Sequence, residues 1–166
     1  IEGRHADPNV FVQMDTYAVK GLQTGQIQFL YAPTHLNPTY EYGVTFERGT
    51  AVTYGDRKQI FISGTASIDN QGEIMYPGDI LKQTERMLEN IDTLLQEAGS
   101  GLQDIMQAIV YLRDPADYVV VKQYIESRYP SFLHLIVHAP VCRPGWLIET
   151  ECIAVIPADA PQYAYL

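Results

Sequence analysis

Two glutamates stand two residues apart near the end of the chain, in Ile148-Glu149-Thr150-Glu151-Cys152-Ile153-Ala154-Val155. The run is strand-like, so its side chains alternate sides. Trp146, Ile148, Thr150, Cys152, Ala154 and Ile156 then point toward a core, while Leu147, Glu149, Glu151, Ile153 and Val155 point away from it. Carboxylates on an otherwise apolar face are costly to bury unless they are paired or used in chemistry. A plainer reading stands beside that one: a solvated or salt-bridged sheet face.

Other groups invite similar weighing. Cys142-Arg143 lies in a Pro/Gly-bounded loop, seven residues before Glu149. The guanidinium could bind a carboxylate and its field would favour a thiolate, or the pair is a loop cysteine beside a surface arginine. His134 and His138 share one side of a strand, about 13 Å apart along its axis, so they cannot hold one metal ion together. One of them can serve as a ligand donor or proton carrier, or be satisfied by local hydrogen bonds. Ser63-Gly64 follows the apolar run Ile60-Phe61-Ile62, where a glycine lets a ligand or another backbone come close. Phosphate-loop, dinucleotide, serine-hydrolase-elbow and zinc-protease motifs are all missing from the sequence.

The elements that must position these groups follow from periodicity. Thr45–Thr53 and Gln59–Ile68 favour strand, joined by a turn at Tyr54–Arg57. After a turn at Asp69–Gly72, Asp79 is a candidate N-cap for a helix that Gly99 ends. Between them Leu81, Thr84, Leu88, Ile91, Leu95 and Ala98, widened by Met87 and Leu94, form an amphipathic stripe. Ile105–Leu112 reads as a buried strand. Asp114-Pro115-Ala116-Asp117 opens a second helix that carries Tyr118, Val121 and Ile125 and stops at Pro130. Phe132–Ala139 and Trp146–Ile156 complete the strands. Earlier in the chain, Val10–Met14 and Gly25–Tyr31 read as two strands turning around Gly21–Gly25.

The order strands, helix, strand, helix, strands predicts an α+β domain with both helices on one face of a sheet. The other face also carries apolar residues and needs cover, which self-association would supply. The 166 residues are enough for one such domain, and 46% hydrophobic against 19% charged residues fits a globular chain. The formal net charge is −9, from 11 Lys+Arg against 20 Asp+Glu. That balance disfavours nucleic acid and anionic membranes, but a small anionic ligand needs only one or two arginines. Nothing reads as a membrane span or a secretory leader, and two cysteines make no disulfide framework, so a cytoplasmic setting with free thiols is expected. Residues 1–4 match a protease-cleavage linker and read as a vector-derived tag. Residues 5–44 read as an N-terminal extension forming a hairpin, 45–157 as the main domain, and 158–166 as a tail.

Taken in order, several pieces resemble one family. They are Ile62-Ser63-Gly64-Thr65-Ala66, Gln83 and Asn90, Tyr111-Leu112-Arg113-Asp114 with Asp117-Tyr118, and the closing Ile148–Val155 run. Together they are similar to the YjgF/Rid family, also called endoribonuclease L-PSP, over roughly Thr45 to Pro157. The resemblance implies a chorismate-mutase-like fold and a homotrimer with ligand clefts between subunits, taking a small carboxylate metabolite and using no cofactor or metal. In its well-known branch these clefts hydrolyse enamines and imines derived from amino acids. Carried over, the cleft aromatic falls on Phe46, the Ser-Gly pair on Ser63 and Gly64, and the water-positioning carboxylate on Glu149. The carboxylate-gripping arginine falls on His134, which cannot reproduce a bidentate guanidinium clamp.

The segment Val141-Cys142-Arg143-Pro144-Gly145-Trp146-Leu147-Ile148-Glu149 also resembles chorismatases, enzymes of the same fold that release pyruvate from an enol ether. That resemblance implies Glu149 as general acid, with Cys142 beside it and Arg143 on a substrate carboxylate. The expected function is acid–base chemistry on an enol-, enamine- or imine-type carboxylate. The rival is a ligand-binding or regulatory trimer without chemistry.

Overall fold

The computed structural model describes residues 6–165 and builds them around one six-stranded mixed sheet. The tag reading for residues 1–4 falls outside the described residues. Strands β1 (Ile27–Leu30), β2 (Gly49–Thr53), β3 (Arg57–Ala66), β4 (Ile105–Leu112), β5 (His134–His138) and β6 (Ile148–Pro157) lie in the order β1-β2-β3-β6-β4-β5. All neighbours are antiparallel except β4 and β5, which run parallel. A parallel pair needs a crossover connection, and helix α2 (Tyr118–Arg128) supplies it.

Helix α1 (Ile80–Glu97) begins as its sequence dictates, with the Asp79 carboxylate accepting from Lys82 N at 3.0 Å. Past its end Gly99 takes φ +80°, a left-handed conformation that glycine adopts without a Cβ penalty. Its stripe of Met87, Leu88, Ile91, Leu94 and Leu95 is fully buried and packs on Ile60, Ile62, Val110 and Ala154. Leu81, expected in the stripe, is exposed at the helix start. Val121 and Ile125 of α2 join the same cluster beside α1. Both helices therefore cover one face of the sheet. On that face β6 buries Ile148, Thr150, Cys152 and Ala154, matching the predicted alternation.

The expected N-terminal hairpin does not form. Val10–Met14 takes no strand pairing, and Phe11, Val12 and Met14 stand exposed. Strand β1 pairs instead with β2, Ile27 opposite Val52. A lone two-stranded hairpin is marginal in water, whereas β1 joins a larger sheet and gains tertiary anchors. Gln26 Nε2 donates to Thr53 O at 2.9 Å, and the Glu97 carboxylate accepts from Tyr31 N and Ala32 N, each at 2.8 Å. Several strands also start or stop later than the patterns suggest. β2 starts at Gly49 and not at Thr45, because Thr39 and Ser63 take up the main chain of Phe46–Arg48. The C-terminal tail folds back on the β2–β3 turn, through Ala160 N to Gly55 O and Gly55 N to Ala164 O.

Candidate active site

The second face of the sheet carries no helix. Phe61, Ile109, Ile153 and Val155 lie half-buried there, and Glu149, Glu151 and Tyr111 stand among them. Across the ladders Glu149 sits opposite Tyr111 of β4 and Ala66 of β3, while Glu151 sits opposite Ile109.

Sequence decides how β3 meets Glu149. The β3–β6 register runs regularly to Ile62↔Cys152, breaks, and resumes at Thr65↔Thr150. This bulge takes Ser63 and Gly64 out of the ladder, and bulges commonly re-aim side chains beside active sites. Ser63 turns to the segment that leads into β2: its N–H donates to Arg48 O at 3.1 Å and its Oγ to Glu47 O at 2.6 Å. A Cβ on Gly64 would lie 2.1 Å from Oε1 of Glu149, so any other residue there would have to push the carboxylate aside. The glycine thus opens the space that the carboxylate occupies.

Glu149 is only 7% exposed, and its Oε2 is buried with no hydrogen-bond partner among the described residues. Burial pushes its carboxyl above the usual 4.5, and the neighbouring Glu151 charge pushes the same way. Glu151 has a partner: Tyr111 Oη donates to its Oε1 at 2.9 Å. Burial and that bond drive the Tyr111 hydroxyl well above its ordinary value. The two carboxylates therefore differ. Glu151 is anchored by the Tyr111 hydroxyl, and Glu149 is a buried carboxyl with one oxygen unclaimed. Beside them a concavity of about 300 Å³ is lined by Phe61, Ser63, Gln107, Ile109, Glu151 and Ile153, among others.

The other expected residues are distributed unevenly. Phe46 adjoins Ser63 through the Glu47–Arg48 main chain, and its ring lies 5.5 Å from the buried Arg48 guanidinium. Arg48 itself donates to Asn37 O and Oδ1, tying the Leu36–Asn37 loop to β2. His134 falls on the helix-covered face. It pairs with Ala108, whose side chain is buried under the helices, its Nδ1 lies 2.8 Å from Phe132 O, and its ring neighbours the core residue Phe132. Within one chain it is therefore separated by the sheet from Glu149. The residues of that segment with the opposite parity are Leu133 and Leu135, both exposed. The alternation of β5 against β4 carries this distinction, and it becomes legible only once the register is known.

Cys142 is exposed, and no hydrogen bond joins it to Glu149 among the described residues. Arg143 lies over the Trp146 ring at 5.7 Å. Cys152 faces the core, where burial pushes its thiol up to about 12, so it is no nucleophile at neutral pH. Among the described residues no group of three or more His, Cys, Asp or Glu is arranged to hold a metal, and no helix is long and apolar enough to cross a membrane.

Sequence reasoning missed what holds the loop before Glu149. Arg113 donates from Nε to Trp146 O at 2.7 Å, and from Nη2 to Val141 O and Arg143 O at 2.6 Å each. Gln83 is fully buried on α1. It donates to Tyr76 O and Gly145 O and accepts from Leu147 N. Asn90 similarly donates to Ala66 O and Ile68 O. Gln83, Asn90 and Arg113 were visible only as matching motif letters; their partners are main-chain groups far away in sequence.

Comparisons with known proteins agree with this geometry. A RutC family protein of Pyrococcus abyssi is 35% identical over 97 residues, covering 57% of this chain and 76% of the relative. The 3-aminoacrylate deaminase RutC of Acinetobacter baylyi is 30% identical over 97 residues, covering 57% and 77%. Among solved structures, RidA from an Antarctic Psychrobacter superposes with TM-score 0.64 at 23% identity, over 78% of this chain and 99% of that one. Escherichia coli TdcF with bound serine gives 0.63 at 21%, over 78% and 98%. The family model described as endoribonuclease L-PSP matches residues 49–156, from the first residue of β2 almost to the end of β6. It spans the bulge, the Glu149 strand and the Gln83, Asn90 and Arg113 anchors, and the chain belongs to this endoribonuclease L-PSP, or YjgF/Rid, family.

Proposed function

We propose that the chain is a small-molecule enzyme acting by acid–base chemistry at Glu149 on an enol-, enamine- or imine-type carboxylate. The observation that carries the reading is the state of Glu149. It is buried, its carboxyl is raised by burial, and Oε2 has no partner among the described residues. A carboxyl raised by burial holds its proton more readily and can give it to an electron-rich methylene carbon. For an enamine, Glu149 protonates the methylene carbon to give an iminium ion. A water molecule adds to the iminium carbon and returns a proton to the carboxylate. The carbinolamine then collapses to a ketone and ammonia. An enol ether follows the same steps with an alcohol as leaving group. The name of the deaminase relative supports the enamine version.

The site is completed between copies of the chain in a homotrimer, with Phe46, Ser63 and Gly64 lining the cleft and Arg143 holding the ligand carboxylate. The half-apolar face around Glu149, which carries no helix and meets only the Tyr17 ring at Phe61 among the aromatic contacts of the described residues, supports this. Surfaces of that kind mark association sites. Cys142 flanks the substrate with Glu149, as the chorismatase-like segment suggests, without a direct part in proton transfer.

The test is Glu149→Gln with two probes, 2-aminoacrylate generated in situ and chorismate. Turnover of either by wild type, with a loss of at least about a hundredfold in the variant, is the expected result. Turnover that survives the change removes Glu149 as the acid. Ligand binding by both proteins without turnover supports the rival reading, a non-catalytic binding trimer.

A further inference from the structure

The loop 139–147 contains no regular structure, yet its main chain is held from two directions. Arg113, just past the end of β4, reaches three of its carbonyls with one guanidinium: Val141 O, Arg143 O and Trp146 O. The Arg113 main-chain N–H adds a bond to Leu147 O at 3.0 Å. From α1, Gln83 takes the next two groups, Gly145 O and Leu147 N, both at 3.0 Å. Charge-assisted bonds are the stronger kind, and a planar fork meeting three carbonyls loses little entropy per bond. Such a loop is fixed before any ligand arrives.

What it fixes is informative. Cys142 and Arg143 lie between the carbonyls that Arg113 holds, and Glu149 follows two residues after the last anchor. We infer that Arg113 is a positioning residue for the site, with Gln83 as its second anchor. It sets where the Arg143 side chain is presented relative to Glu149, and it touches no substrate itself. This rests on the acid–base reading of Glu149 and assigns to Arg113 the geometry of carboxylate binding. Because β6 is gripped independently by β3 and β4, Glu149 keeps its place when Arg113 is lost, whereas Arg143 does not.

The single tryptophan of the chain, Trp146, makes the loop observable, as does the only exposed cysteine, Cys142. Arg113→Ala and Arg113→Lys are compared with wild type by acrylamide quenching of Trp146 and by iodoacetamide alkylation, which reads Cys142 because Cys152 is buried. Expected in both variants are a severalfold rise in quenching and a change in alkylation rate, with cooperative thermal unfolding retained. Millimolar guanidinium should restore Arg113→Ala toward wild type, which a merely unfolded variant would not show. With 2-aminoacrylate or chorismate, KM should rise at least about tenfold while kcat stays within threefold, the signature of lost uniform binding. Unchanged quenching and alkylation in a folded variant overturn the inference, and so does a fall in kcat at constant KM. If Arg113→Ala does not fold, the same readouts on Arg113→Lys decide it. If wild type turns over neither probe, the acid–base reading fails, while quenching, alkylation and guanidinium rescue still decide whether Arg113 sets the loop.

Discussion

The two faces of the sheet are made from the same strands and differ in almost everything else. Under the helices, Ile60, Val110, Ile148 and Ala154 meet the α1 stripe with essentially no exposure. The polar side chains there, such as Gln83 and Asn90, give their donors to main-chain carbonyls, although Asn90 Oδ1 and Thr150 Oγ1 find no partner among the described residues. On the uncovered face the apolar residues are only half-buried, and a carboxyl with an unclaimed oxygen sits among them. One face supplies folding energy. The other keeps unspent binding capacity, which is the expected state of a surface that meets a ligand or a second copy.

The contrast breaks most visibly on the covered side. Ile91→Ala removes a fully buried side chain at the centre of the α1 contact and should cost about 2–5 kcal/mol, read as a lower urea midpoint at unchanged slope. A loss below about 1 kcal/mol would mean that the helix layer can collapse around the gap and is no rigid platform.

A charge on the other side should hardly affect folding. Ile153 is half-buried in the single chain, so Ile153→Lys should shift its stability by no more than about 0.5 kcal/mol. If copies associate through this face, the same change buries a lysine and disperses the assembly in sedimentation velocity. A trimer that withstands Ile153→Lys would place the subunit contact elsewhere and leave the face open to solvent.

Legibility in the sequence divides along similar lines. Helix α1 and strand β4 could be read because burial against a single partner stamps a period on the chain, and the same period put Glu149 and Glu151 on the outward side. The strand expected over Val10–Met14 had the right residues but pairs with none of the six strands, and pairing belongs to the tertiary structure. The face that His134 takes is illegible for a related reason: it follows from the pairing of Ala108 with His134, which no local pattern encodes. The bulge at Ser63-Gly64 was half legible. The glycine announced a close approach, but that the approaching group is Glu149 depends on a strand more than eighty residues later. Arg113 gave no signal of its function, since its partners are carbonyls that every residue possesses.

The smallest effect, Glu149→Gln measured against pH, gives the sharpest comparison. Burial, reinforced by the Glu151 charge, raises the Glu149 carboxyl above its ordinary 4.5. The folded state therefore holds this proton more tightly than the unfolded state does. The contribution of Glu149 to stability is fully present below pH 4.5 and is lost as pH rises through the folded value. Glutamine fills nearly the same space and never ionises, so it escapes that loss. The variant should melt above wild type at pH 8 and close to it at pH 4, the remaining titrations being common to both proteins. Equal melting temperatures at both pH values would mean that Glu149 is solvated and the face is merely polar. A variant that gains stability at pH 8 while losing turnover has the opposite meaning: at this one position the protein gives up folding energy to keep an acid where its chemistry needs one.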